Sequence, residues 1–330
     1  MEEDFSKELA REGETLCGKY ILDKLVGVGG MAAVYRGSHR NGNKVAVKIL
    51  HPELARHETV RARFLREGYA ANKVDHPGSV SVFDDGITED GAPFLVMELI
   101  EGESLEDWIQ RAGGRLPVGD ALAIAEQTLD VLAAAHSKGV VHRDIKPGNL
   151  FAAKDGRIKV LDFGLARLRD PKLQAMPTAG GIILGTSAYM PPEQAQGKSH
   201  LIDGRSDLYA VGAVLFRCIT GRYVHAFDSA QERLIAAMKD RAPSLATVVP
   251  SAPASIVALV DRALAFEMDA RWPDASTMRS VVRQVFDELK AGPQEDREPP
   301  TLKAAPESVV FDIDEHSSIV VEVSFGEPGT

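Results

Sequence analysis

The apolar periodicity of this chain changes once, and that change limits the folds open to it. Over the first hundred residues short β-like runs predominate: Tyr20–Val26, Ala33–Gly37 and Lys44–Leu50, with Asn41-Gly42 as a tight turn between the last two. One helix pattern follows, at about Thr59–Val74. From Leu105 to Lys290 helical spacing dominates, as in Val118–Ser137 with Gly139 as its stop signal. A small β-rich half ahead of a larger α-rich half predicts an α+β fold of two lobes with a cleft between them. At 330 residues, 44% of them apolar, the chain can give each half a core.

Composition removes several function classes. The chain has 38 basic and 48 acidic residues, a formal charge of -10, and no Lys/Arg-rich run, which argues against a nucleic-acid partner. Two cysteines, Cys17 and Cys218, make neither a disulfide framework nor a Cys-rich zinc site and suit a reducing compartment. The acidic start, Met1-Glu2-Glu3-Asp4, is unlike an export signal, and no apolar run is long enough to span a bilayer, so a cytoplasmic location is expected. The last forty residues hold nine acidic and two basic side chains, a net of -7 within the total. Gly292–Pro306, with Pro293, Pro299, Pro300 and Pro306, reads as an extended linker. Beyond it Ile319, Val321, Val323 and Phe325 alternate with Val320, Glu322 and Ser324 in a strand pattern.

Gly27-Val28-Gly29-Gly30-Met31-Ala32 fits G-x-G-x-x-[GA]. A dinucleotide site needs a helix straight after such a turn and an acidic residue about twenty positions on. Here Val34 and Tyr35 follow, then a hairpin turn, and Lys48 stands near that point. The surroundings predict strand-turn-strand: either an ordinary hairpin or a turn whose backbone N–H groups cover a polyphosphate. Gly197-Lys198-Ser199 imitates the end of a P-loop but has Pro192 where the motif needs glycine.

Val45-Ala46-Val47-Lys48-Ile49-Leu50 is an apolar strand holding one charge, which is costly to bury without a carboxylate or phosphate partner. On the following helix Val60, Phe64, Glu67, Ala71 and Val74 share one face, apolar except for Glu67. These residues alone allow a Lys48–Glu67 ion pair facing the cleft, or equally a snorkelling lysine and an exposed glutamate.

Four further motifs come next. His142-Arg143-Asp144-Ile145-Lys146-Pro147-Gly148-Asn149 reads H-R-D-x-K-x-x-N; Asp162-Phe163-Gly164 follows; Met190-Pro191-Pro192-Glu193 closes the next segment; Ser206-Asp207-Leu208-Tyr209 starts an apolar helix. In this order, after the glycine turn and Val45-Ala46-Val47-Lys48, they make the chain resemble the eukaryotic-like protein kinases, and most of all the bacterial Hanks-type serine/threonine kinases. The resemblance covers about Leu16 to Leu289. It implies a bilobal domain over 16–290, with an N-lobe at about 16–99 and a C-lobe at about 103–290. Residues 1–15 are then an N-terminal extension and 291–330 an acidic linker and β-patterned tail.

The resemblance also implies roles. Val26, Gly27, Val28, Gly29, Gly30, Met31, Ala32, Ala33 and Val34 would cover the phosphates of ATP. Lys48 would hold the α/β-phosphates and be fixed by Glu67. Asp162 and Asn149 would bind Mg²⁺, with Mn²⁺ as a substitute. Asp144 would orient the substrate hydroxyl and accept its proton, and Lys146 would neutralise charge on the γ-phosphate. Ala46 above and Leu150 below would sandwich adenine, beside Met97 as gatekeeper and Glu98 and Leu99 as hinge. Asp207 would brace the catalytic loop. Glu193 and Arg271 would pair to anchor the activation segment.

Lys146 is the form found in serine/threonine kinases, and Thr186 resembles the threonine that favours such substrates. Arg143 beside Asp144 suggests activation by phosphorylation, for which Thr178 is the expected site, modified in trans between copies that associate at least transiently. Ala32 in place of a third glycine and Gly68 inside the helix are departures; the glycine costs about 1 kcal/mol against alanine. A pseudokinase scaffold is the rival reading, and it predicts loss of Lys48, Asp144, Asn149 or Asp162, none of which is lost. The full activation segment speaks for a protein substrate.

Overall fold

The computed structural model describes residues 5–163, 186–291 and two short pairs at 309–310 and 322–323. Its elements begin with helix α1 (Ser6–Leu9) and strands β1 (Thr15–Leu16), β2 (Tyr20–Val28), β3 (Ala32–His39) and β4 (Lys44–Leu50). Helices α2 (Pro52–Ala55) and α3 (Glu58–Val74) precede β5 (Val82–Ile87) and β6 (Pro93–Glu98). These six strands form one antiparallel sheet in the order β1-β2-β3-β4-β6-β5. The β2–β3 hairpin holds the glycine turn, with Val28 opposite Ala33, so no helix follows the glycines.

The larger half is helical. Strand β7 (Gly102–Ser104) leads into α4 (Leu105–Arg111) and α5 (Val118–Ser137), and β8 (Leu150–Ala153) and β9 (Ile158–Val160) complete a three-stranded sheet with β7. Gly102 has φ +155, and a Cβ there would sit 2.0 Å from Ala152 O. Later come α6 (Pro192–Ala195), α7 (Gly204–Thr220), α8 (Ala230–Lys239), α9 (Leu245–Val248), α10 (Ala254–Ala263) and α11 (Ala275–Ala291). Asp203 caps α7 through Arg205 N, and Ser229 with Glu232 forms a capping box on α8. Two-residue strands β10 (Val309–Val310) and β11 (Glu322–Val323) pair with each other. The rest of the alternating tail lies outside the described residues. Among the described residues no helix is long and apolar enough to cross a membrane.

Each half has its own core. Leu22, Leu25, Tyr35, Val47, Ile49, Leu50, Phe94 and Val96 fill the small lobe. Leu122, Leu129 and Leu132 of α5 meet Leu208, Val211 and Leu215 of α7 and Met278 and Val282 of α11 in the large one. Helix α3 belongs to both: Val60 and Phe64 join the first core, and Ala70, Ala71 and Val74 the second. Gly68 explains how it sits so close to the sheet, since a Cβ there would lie 2.8 Å from Leu95 Cδ1. The glycine that weakens the isolated helix therefore admits a packing contact.

The end of the expected N-terminal extension is hydrogen-bonded to β2. Gly13 N donates to Leu22 O (2.7 Å), Leu22 N to Glu14 O (2.9 Å) and Leu25 N to Glu12 Oε1 (2.8 Å), so this polar stretch is built into the sheet edge.

Candidate active site

The cleft floor is a strained loop. Arg143 has φ +68 and Asp162 φ +50, the left-handed region that non-glycine residues avoid. Asp207, only 1% exposed, holds the first of these in place. Its carboxylate accepts from Arg143 N (2.7 Å), His142 N (2.8 Å) and His136 Nε2 (2.8 Å). Gln194 Nε2 donates to Arg143 O at 3.0 Å from the other side. His142 donates from Nε2 to Leu161 O (2.8 Å) and accepts Asp144 N at Nδ1 (3.2 Å), and its ring packs 4.9 Å from that of the buried Phe163. One imidazole thus ties the Asp144 loop to the segment carrying Asp162.

The polar side chains gather on this frame. Lys48 Nζ is 2.5 Å from Asp162 Oδ1, across the cleft between the lobes. Lys146 Nζ lies 3.4 Å from Asp144 Oδ2. Asn149 Nδ2 donates to Asp144 O (2.7 Å) and Asp144 Oδ2 (3.0 Å). Burial pushes the Asp162 carboxyl up, but Lys48 and then Lys146 outweigh it and leave it below the ordinary carboxylate range. Asp162 therefore stays anionic near neutrality.

The donor set suits a hard divalent cation. Asn149 spends its amide nitrogen on Asp144, which leaves the amide oxygen as the group to offer beside the Asp162 carboxylate. Two protein oxygens, completed by water and phosphate, match the way Mg²⁺ is usually held. The described residues contain no His/Cys/Asp/Glu cluster of three that would bind a metal without such help.

Above the loop, Val26, Val34 and Ala46 form a small apolar cluster, with Met97 and Leu99 packed against it. It is separate from both main cores and sits on β2, β3, β4, the end of β6 and the residue that follows it. Glu98, the last residue of β6 and the start of the expected hinge, accepts from Ser81 N (3.0 Å) and from Lys159 Nζ at both oxygens (2.7 Å each). The adenine floor expected at Leu150 needs correcting. Leu150 is 1% exposed, lies opposite Val160 and belongs to the large-lobe core, so it has no surface to offer. Strand alternation turns Phe151 to the other face, shared with Lys159 and so with the hinge.

Glu193 and Arg271 meet in a buried bidentate pair, with NH1 to Oε1 at 2.9 Å and NH2 to Oε2 at 2.8 Å. Ser206 Oγ donates to the same Oε1 at 2.6 Å. Ser187 is buried, its hydroxyl donating to Ala230 O at 3.2 Å. Glu67 lies in α3, but its side chain is outside the described ones, as is that of Thr186. Gly164 and Thr178 lie outside the described residues. Gly27, Val28, Gly29, Gly30, Met31, Ala32 and Ala33 all lie in the β2–β3 hairpin.

His136, Gln194, Lys159 and Phe151 carry part of this site and were not singled out from sequence. A lone Asp207 on an apolar helix was the available signal for His136, because a buried carboxylate requires several donors.

A family model for the protein kinase domain matches residues 20–286. The serine/threonine-protein kinase Pkn1 of Myxococcus xanthus is 37% identical over 272 residues, which is 81% of this chain and 38% of that protein. The serine/threonine-protein kinase PksC of Streptomyces coelicolor is 40% identical over 283 residues, 84% of this chain and 50% of that one. The chain thus spans half or less of the length of these curated relatives. The kinase domain of Mycobacterium tuberculosis PknI matches with a TM-score of 0.64 at 26% identity, covering 83% of this chain and 98% of that domain.

Proposed function

The chain belongs to the protein kinase family, and from that premise we propose that it transfers the γ-phosphate of ATP to serine or threonine hydroxyls of proteins. One observation carries the reading: Lys48, Asp162, Asn149, Asp144 and Lys146 converge in a single cleft beneath the glycine hairpin. Phosphoryl transfer asks chiefly for positioning and charge neutralisation, and this set supplies both. Lys48 would hold the α/β-phosphates. Asp144 would accept the hydroxyl proton as the oxygen attacks phosphorus, with Lys146 balancing charge on the transferred group. Asp162 and Asn149 would hold a divalent cation, Mg²⁺ or Mn²⁺, which neutralises the β- and γ-phosphates when bound. Val26, Val34, Ala46 and Phe151 would enclose adenine against the hinge.

Protein substrates, rather than small molecules, fit the anchored segment ending at Glu193. Regulation would run through Thr178, phosphorylated in trans by a second copy. In support, Arg143 Nε is buried and has no hydrogen-bond partner among the described residues, so it can take a phosphate.

The test is incubation with labelled ATP and Mg²⁺ or Mn²⁺, wild type beside Asp144→Asn, followed by mass spectrometry. Label on the wild type alone is the expected result. Equal label on both, or none on either while ATP still binds, overturns the reading in favour of a nucleotide-binding scaffold.

A further inference from the structure

One imidazole joins the N-terminal segment to the glycine hairpin. His51 follows β4, three residues beyond Lys48. Its backbone N–H donates to Met31 O at 2.9 Å. Its ring Nε2 lies 2.7 Å from Gly29 O, and since a carbonyl only accepts, Nε2 carries a proton and donates. The other ring nitrogen, Nδ1, faces Glu8 Oε1 at 3.5 Å, and the two side chains are only 16% and 20% exposed. Glu8 in turn is fixed without His51, because Tyr35 Oη donates to Glu8 O at 2.9 Å and the chain beyond is laced to β2.

The consequence follows from peptide geometry. Among the described residues all peptide bonds are trans, so in this hairpin a C=O and the N–H of the next residue point in opposite directions. Pinning Gly29 O toward His51 turns the N–H of Gly30 to the opposite side of the hairpin. Pinning Met31 O does the same to the N–H of Ala32. A glycine turn left to itself samples many orientations of these donors. Here a single residue directly after the lysine strand sets two of them.

We propose that His51 is a positioning residue for the phosphate-covering hairpin, oriented by Glu8 of the N-terminal segment, so that this segment is a working part of nucleotide binding. The inference rests on the reading that the hairpin covers ATP phosphates. It predicts an effect confined to the phosphate-bearing part of the ligand.

The experiment is a binding titration with ATP and, separately, adenosine, each with Mg²⁺, on the full chain and on His51→Leu, His51→Gln and Glu8→Gln. Leucine removes the ring donor, and ATP affinity should fall about three- to tenfold, the worth of one net hydrogen bond. Adenosine affinity should stay within about twofold, because it presents no phosphate to Gly30 or Ala32. Glutamine can still donate to Gly29 O and should restore most of the loss, while Glu8→Gln should give a smaller one. Steady-state rates should show the same change in KM for ATP with kcat less affected. Equal weakening of ATP and adenosine, no change in either, or no recovery with glutamine would overturn the proposal. Failure of the kinase reading is seen elsewhere, as absence of transfer by the wild type, and leaves these binding ratios interpretable.

Discussion

Replacing Glu193 with alanine is the sharpest test of how the large lobe is held together. Arg271 is fully buried, and all five of its N–H donors are used. Two go to Glu193, and the rest reach Ala265 O (2.8 Å), Phe266 O (3.1 Å) and Arg205 O (3.3 Å), with Tyr209 beneath the guanidinium. Alanine leaves a buried cation with no counter-charge and two donors unmet. Breaking one side of such a pair costs about 3–5 kcal/mol. At about 2 °C per kcal/mol for a chain this long, the melting temperature should fall by roughly 6–10 °C.

The same pair has a pH signature. Burial pushes the Glu193 carboxyl up, and Arg271 and Ser206 outweigh it and hold it below its ordinary value. A carboxyl depressed by folding stabilises the folded state above its unfolded pKa, about 4.3 for glutamate, and that stabilisation disappears as pH falls through the folded value. The gap between wild type and Glu193→Ala should therefore be full near pH 7 and narrow below about pH 4. Thermal melts at both pH values read this directly. The double variant Glu193→Leu with Arg271→Met should recover much of the loss, since a packed apolar pair often matches a buried ionic one. A single-variant loss below about 1 kcal/mol, the value of an exposed pair, would refute the argument.

Three further outcomes are expected. Asp144→Asn should lower kcat about 10²–10⁴-fold while ATP affinity, measured by titration, stays near wild type. Gly68→Ala should destabilise despite a gain in helix propensity of about 1 kcal/mol, because overpacking against Leu95 costs about 1–3 kcal/mol; a higher melting temperature would contradict the contact. Phe151→Ala should raise KM for ATP, whereas Leu150→Ala should cost about 2–5 kcal/mol of stability as a core cavity with a smaller effect on KM.

Much of this was legible in the residues. Lys44–Leu50 and Val118–Ser137 end where the turn and stop residues place them, because those boundaries are set by local chemistry. The loop from His142 to Asn149 is marked by its motif. What stayed hidden depends on contacts between distant segments. Lys48 meets Asp162, 114 residues away, and nothing near either residue encodes that distance. Leu150 and Phe151 are both apolar, and only the pairing of β8 with β9 tells which one turns to the core. The stretch Glu12–Thr15 carries no apolar side chain, and backbone groups with one carboxylate tie it to β2.

Helix α3 has Phe64 in one interior and Val74 in the other, and the loop after it is tied down, with Lys138 Nζ on Val74 O and Val160 N on Gly78 O. The two lobes thus share a rivet in place of a free hinge at this point. Tilting the helix drags apolar surface into water at one end or the other, so its motion is bound to the melting of both halves. A molecule shaped like two bodies should for that reason come apart as one.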